Sequence, residues 1–329
     1  MYGSLGNQYF MYFDVDNAES ITLYGQLVNK YTNKRINEFM NELMETDGID
    51  YAKYGDTDSL YLDLTPVKEM MLGDETDIQV ICDALDEFFK TVLSPAIVAA
   101  TDDLAEYMNA YENAMVWERE TISDGMISVS KKCYAMRVWD DEGSRYHDAP
   151  KLKIVGLESV KSSTPKWAQK YLKECYAIAL EKDEKAVQKH ISKVYKAIKN
   201  LSPEEIAQVS SVNNIEKYWS HEKGFQPKTP AGVRAAGNYN TMLKKTGMEY
   251  LGEITSGMKI KYVPLKMPNP LNDKSIGFES KLPPEFGLHD YIDTELLFEK
   301  AFKKPMQRFL TAVGWSVERR VNVFDFLSQ

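Results

Sequence analysis

The sequence of 329 residues is poor in metal-binding and cross-linking side chains: its three cysteines, Cys82, Cys133 and Cys175, form no CxxC pair, and its four histidines form no cluster with them. Neither a zinc site nor a disulfide framework follows. No apolar run approaches the roughly 18 residues that a membrane span needs, and no charged segment followed by an apolar stretch opens the chain. A soluble, cytoplasmic chain without membrane contact is expected. Internal repeats and low-complexity tracts are missing as well. Basic residues are scarce over residues 38–125, where 22 acids face 4 bases.

What is present suffices for two ordinary domains, since 43% of the residues are hydrophobic and 12% aromatic, enough to build cores in both. A net charge of −9 argues at first against nucleic-acid binding, because affinity for a polyanion comes largely from Lys and Arg. The distribution of charge revises that judgement: residues 185–275 hold 15 bases against 7 acids. An acidic half suits divalent metal and a basic half suits phosphates, although a solvated surface also explains each block.

Periodicity predicts a long helix over 17–45, with Ile21, Tyr24, Val28 and Tyr31 at helical spacing and a capping box from Asp16 to Glu19. Residues 49–64 read as a hairpin turning at Gly55, Asp56 and Thr57, with Leu60, Leu62 and Leu64 alternating with Tyr61 and Asp63. Helical spacing returns over 79–113, interrupted at Ser94-Pro95. Strands are expected at 126–138 and 151–155, a helical region from Pro165 to about 199, short strands and loops over 220–290, and a last helix over 293–310. The composition changes near Gly156, a candidate domain boundary.

Chemistry concentrates in Tyr54-Gly55-Asp56-Thr57-Asp58-Ser59, where two carboxylates lie two residues apart at the hairpin tip. Hard divalent cations prefer such oxygens. Successive strand residues face opposite ways, so both acids meet one ion only if the turn redirects one of them, a turn that Gly55 is expected to ease. An acidic turn between strands is also ordinary. A calcium-binding EF-hand loop is excluded, since Tyr61 and Val67 stand where Gly and Glu would be required.

With its neighbours, this segment resembles the second catalytic motif of the family B DNA polymerases, in the form carried by T-even-like bacteriophages. Tyr2-Gly3-Ser4-Leu5-Gly6-Asn7 resembles the end of the fingers motif of that family, Trp117-Glu118-Arg119-Glu120 its acidic palm strand, and Lys131-Lys132-Cys133-Tyr134 its KKxY motif, with Cys where Arg is usual. Residues 153–158, 161–165 and 209–215 resemble its thumb junction and thumb.

The resemblance implies an α+β fold: a palm of antiparallel sheet with packed helices, then a mainly helical thumb. The expected division is 1–7 end of fingers, 8–156 palm, 157–320 thumb and 321–329 a tail that docks on a sliding clamp through Val323, Phe324, Phe326 and Leu327. It also implies addition of a dNTP to a primer 3′-hydroxyl with two Mg²⁺ ions about 3.5–4 Å apart. Asp56 and Asp58 are the expected catalytic pair, with Asp58 and Glu120 the metal ligands. Tyr2, Gly3 and Thr57 are expected at the nascent base pair, and Tyr54, Ser59, Lys131, Lys132, Tyr134 and Lys161 on primer-template DNA. The triphosphate-binding Lys of the fingers and the other catalytic Asp are not in the sequence. An N-terminal polypeptide is therefore the expected partner, supplying them with the exonuclease, although a gene fragment would look the same. The competing readings are a noncatalytic module tethering DNA to a clamp, and an unrelated metal-dependent nuclease or phosphatase.

Overall fold

A computed structural model describes residues 2–318. The fold is α+β, with antiparallel pairing in each strand pair whose register is described. The chain divides into two units, Met1–Asp124 with Val138–Lys151 and Gly125–Arg137 with Leu152–Gln329.

In the first unit the long helix runs Val15–Leu43 and begins two residues before the sequence predicts. Asp14, not Asp16, is the N-cap: its extended backbone lets the carboxylate accept from the Asn17 amide at 2.9 Å. That bond satisfies an amide otherwise left orphaned at the helix start. The inward face is Val28, Thr32, Ile36 and Met40. Of the residues predicted to form it, only Val28 is buried; Ile21 is 46% exposed.

The segment read as two helices broken at Ser94-Pro95 is one continuous rod, Ile78–Phe88, Phe89–Leu93 and Ser94–Tyr107. Its middle section is a π-turn in which the Ser94 amide bonds the Phe89 carbonyl five residues back. Pro95 lacks an N–H, and the wider turn admits its ring without ending the helix. The rod packs on the long helix, and Phe88, Leu93 and Ile97 join Ile36, Met40, Tyr51 and Val67 in one core.

Below that core hangs the acidic hairpin, Ala52–Asp56 paired with Ser59–Leu62 in the register Asp56↔Ser59, Gly55↔Leu60, Tyr54↔Tyr61, with a bulge at Lys53. The expected in-out alternation of its leucines does not hold, because every residue of Ser59–Leu62 is half-buried.

The second unit holds the turn end of the hairpin formed by Thr121–Ser130 and Cys133–Asp141. It also contains the helix pair Lys166–Glu181 and Glu184–Ile198, joined through the N-cap Asp183, and a sheet in the order Ser275–Phe278, Lys259–Pro264, Gln208–Ser211. Over that sheet lies the helix Ala231–Thr246, within a stretch that reads as strands and loops. Ten of its residues are buried, and four of them are glycine or asparagine, poor helix formers that hide it in the sequence. Small residues let it sit close: a Cβ at Gly277 would lie 2.9 Å from the Ala235 carbonyl oxygen. Buried Asn238 and Asn240 bond the backbone of Ser275 and Ile254. The last helix runs from Thr294 to Thr311 through a π-turn at Glu299–Lys303.

Candidate functional site

The two-residue loop of the acidic hairpin is Thr57-Asp58, one residue later than the sequence suggests. Thr57, not Gly55, takes the positive φ of +49°. The Asp58 amide bonds back to the Asp56 carbonyl two residues earlier, closing a tight turn around Thr57. A β-branched residue in this region is strained, and such strain clusters at functional sites. Gly55 is a strand residue whose role is close approach: a Cβ there would meet Asn29 Oδ1 at 3.3 Å and Leu60 Cδ2 at 3.4 Å.

The turn gives its two acids different surroundings. Asp56 is half-buried, and its Oδ1 accepts from the Thr57 hydroxyl at 3.1 Å while its carbonyl accepts from the Ser59 hydroxyl at 3.1 Å. Asp58 is exposed at the tip. Tyr54 and Tyr61 meet edge to face at 5.2 Å across the strands.

Glu120 belongs to an extended segment in which Trp117 and Arg119 are half-buried and Glu118 and Glu120 are exposed on the opposite side. Arg119 anchors this segment through Asp140 and through Asp86 at 2.9 Å. Asp140 is 1% exposed, and it also accepts from Arg145 Nε at 2.9 Å and the Gly143 amide at 3.0 Å. Burial pushes the Asp140 carboxyl upward, but the two guanidinium hydrogen bonds and the amide outweigh it and hold the pKa below the usual carboxylate range. The Asp86 carboxyl is likewise lowered, first by its bond from Lys90 and then by Arg119, against the opposing effect of burial. Among the described residues no three His, Cys, Asp or Glu side chains gather into a group that could hold a metal ion.

In the second unit Lys131 and Lys132 form the two-residue turn between strands, both exposed, with Lys132 at φ +60°. Tyr134 is 6% exposed. Gly156, at φ +65°, lies against this turn so closely that a Cβ would stand 2.0 Å from the Lys132 carbonyl oxygen. Cys133 Sγ donates to the Gly156 carbonyl at 3.6 Å. Exposed Lys161 pairs with Glu158 at 3.3 Å, and Arg308 reaches the same carboxylate at 3.8 Å.

A family model for DNA polymerase family B matches residues 1–269. The chain belongs to that family. The acidic turn and both turn lysines of this family B chain lie inside the matched region, as does Lys161. Curated relatives include the DNA-directed DNA polymerases of Escherichia phage RB69, 37% identical, and Enterobacteria phage T4, 34% identical, each over 341 aligned positions covering 99% of this chain. The chain spans 37% of the length of each.

Gly3 lies in the short helix Tyr2–Leu5, exposed, with open space where a Cβ would stand. The side chain of Tyr2 and the tail residues Val323, Phe324, Phe326 and Leu327 lie outside what the structure describes. No helix of the described residues is long and apolar enough to cross a membrane.

Sequence reasoning missed the asparagines Asn29, Asn37 and Asn41 of the long helix, whose amides bond the segment 49–59. Their spacing in steps of four and eight was the available signal.

Proposed function

We propose that this chain contributes palm (8–156) and thumb (157–320) to a DNA-directed DNA polymerase that adds dNTPs to a primer 3′-hydroxyl. Residues 1–7 would then end the fingers. The carrying observation is the acidic turn itself: strained Thr57 sets half-buried Asp56 and exposed Asp58 at a hairpin tip inside the family match. Mg²⁺ commonly takes one or two carboxylates and completes its shell with water and substrate phosphates. The hard oxygens of this turn fit that pattern, and Asp58 would hold the ion with the other catalytic aspartate. Two bound Mg²⁺ would supply charge stabilisation to the attacking and leaving oxygens.

The remaining roles belong to side chains of this chain. Asp56, bonded by Thr57, orders the turn, and Glu120 stands as an outer ligand or base, its segment fixed by Arg119 on Asp140. Tyr2, Gly3 and Thr57 are the residues proposed to meet the nascent pair. Tyr54, Ser59, Lys131, Lys132, Tyr134 and Lys161 serve the primer-template, where cationic turn lysines suit a duplex of any sequence.

The other catalytic aspartate, the fingers and the exonuclease would come from an N-terminal polypeptide. In support, the first unit leaves the apolar side chains of Tyr9, Met11, Tyr12 and Leu23 exposed, which contact with those parts of the polymerase would cover.

Primer extension with Mg²⁺ and dNTPs, by this chain alone and with the upstream polypeptide, tests the reading. Synthesis is expected in the mixture, with Asp58→Ala lowering turnover about a thousandfold or more at nearly unchanged DNA affinity. Full activity of that variant refutes the metal role, and a wild-type complex that binds DNA without extending it leaves a noncatalytic tether. The tail residues Val323, Phe324, Phe326 and Leu327 would dock on a sliding clamp, aromatic anchors filling a groove. Deleting residues 323–329 should then abolish clamp-stimulated synthesis alone, and equal loss of unstimulated synthesis refutes that role.

A further inference from the structure

The long helix carries asparagine at positions 29, 33, 37 and 41, every fourth residue and so along one face. Asparagine is a poor helix former, and helix propensity does not account for four in a column. Their hydrogen bonds do. Asn41 donates to the Ile49 carbonyl at 2.7 Å and accepts from the Ile49 amide at 2.9 Å. Asn37 accepts from the Tyr51 and Ala52 amides at 2.7 and 3.1 Å and donates to Asp50 at 2.9 Å and to Asn33 Oδ1 at 3.0 Å. Asn29 donates to the Ser59 carbonyl at 3.1 Å.

The partners climb the hairpin as the column descends the helix: Asn41 and Asn37 grip its root, and Asn29 grips the residue next to Asp58. Gly55 belongs to the same device, because its missing Cβ is what leaves room for Asn29 Oδ1.

We infer that this column is a positioning device for the acidic turn, with Asn29 as the positioning residue for Asp58; the functional half of the inference rests on the polymerase reading above. The turn gains from such a device because its own geometry is strained at Thr57 and its tip is exposed. A neutral amide suits the task. It fixes a backbone carbonyl without neutralising Asp58, whereas a Lys or Arg in its place would compete with a divalent cation for the carboxylate.

Two variants test this, Asn29→Leu, which keeps the size and removes the donor, and Gly55→Ala, which presses a methyl group on Asn29. Amide exchange in the full chain is expected to speed up about tenfold at residues 58–60 in both, as for loss of one hydrogen bond, with protection of the long helix intact. In the mixture with the upstream polypeptide, kcat is expected to fall about tenfold to a hundredfold and the Mg²⁺ needed for half-maximal rate to rise, as misplacement of a catalytic group predicts. The primer-template Kd should change much less than kcat, because Lys131, Lys132 and Lys161 lie outside this turn.

Wild-type exchange at residues 58–60 overturns the inference, as does loss of protection throughout Val15–Leu43, which would make Asn29 a general prop. Altered exchange with unaltered kcat and Mg²⁺ dependence overturns its functional half. A wild-type mixture that makes no DNA refutes the polymerase reading instead, and the exchange result still decides whether Asn29 holds the turn.

Discussion

Replacing Gly156 with alanine should damage the lysine turn more than any simple glycine-to-alanine change, and the cost divides into two separable parts. Gly156 sits at φ +65°, where an L side chain costs about 1–2 kcal/mol. Its new Cβ would also start 2.0 Å from the Lys132 carbonyl oxygen and 3.0 Å from Cys133 Sγ. Relief requires a shift of the order of 1 Å, and overpacking of that kind costs about 1–3 kcal/mol. Lys132 is poorly able to yield, since it is the second residue of a two-residue turn and already occupies φ +60°.

The total is about 2–5 kcal/mol. Gly247 provides the control within the same unit: it sits in the left-handed region at φ +70° with nothing within 4 Å of an added Cβ, so Gly247→Ala should show the conformational cost alone, about 1–2 kcal/mol. Urea unfolding of both variants, followed by amide exchange in the second unit, measures the difference, and a displaced lysine turn should also weaken primer-template binding in Gly156→Ala only. If Gly156→Ala falls within about 0.5 kcal/mol of Gly247→Ala and binds DNA normally, the close approach carries no energy and the argument is wrong.

The buried network around Asp140 gives two further expectations. Asp140→Asn leaves Arg119 and Arg145 without their shared counter-charge and should destabilise the first unit by about 3 kcal/mol in chemical unfolding; a change under about 0.5 kcal/mol would show that the network contributes little. Because the Asp140 and Asp86 carboxyls are held below their ordinary values in the folded chain, their contribution is fully present above the unfolded pKa of about 3.9 and is lost as pH falls through the lower folded values. Acid unfolding of wild type should therefore steepen below about pH 4, and Asp140→Asn should flatten that limb.

Where sequence pattern and structure agree, one physical rule was sufficient. Residues 49–64 were legible as a hairpin because strand-forming residues flank a polar turn, and the chemically loaded acids were legible by residue type alone. Which residue took the strained conformation was not. Glycine is the default guess for a positive φ, yet here Gly55 lies close to Asn29, on a helix distant in sequence, and Thr57 bears the strain. The same lesson explains Ser94-Pro95: a π-turn absorbs the proline, and nothing in the local sequence announces the wider turn.

The helix Ala231–Thr246 was invisible for a different reason. Gly232, Gly237, Asn238 and Asn240 all speak against a helix locally, but packing against the sheet favours small residues that approach it and amides that satisfy buried backbone. Tertiary packing overrode propensity. In the long helix the reverse happened: the pattern predicted its existence but misplaced its buried face toward Ile21, because the core begins only at Val28.

Two turns carry most of the proposed chemistry, and each is closely approached by a residue that adds no charge. Asp58 stands on a turn gripped by a neutral amide, and Lys132 stands on a turn packed against a glycine. Charged anchors would be stronger per bond, and the chain uses them freely elsewhere, as in the Arg119, Asp140 and Arg145 network. Holding the carboxylate proposed to bind metal by a salt bridge would spend the charge that it must offer to its ligand. Steric closeness and carbonyl hydrogen bonds fix position without that loss, so the smallest and least charged side chains near these turns, Gly55, Asn29 and Gly156, are where substitutions should separate geometry from charge.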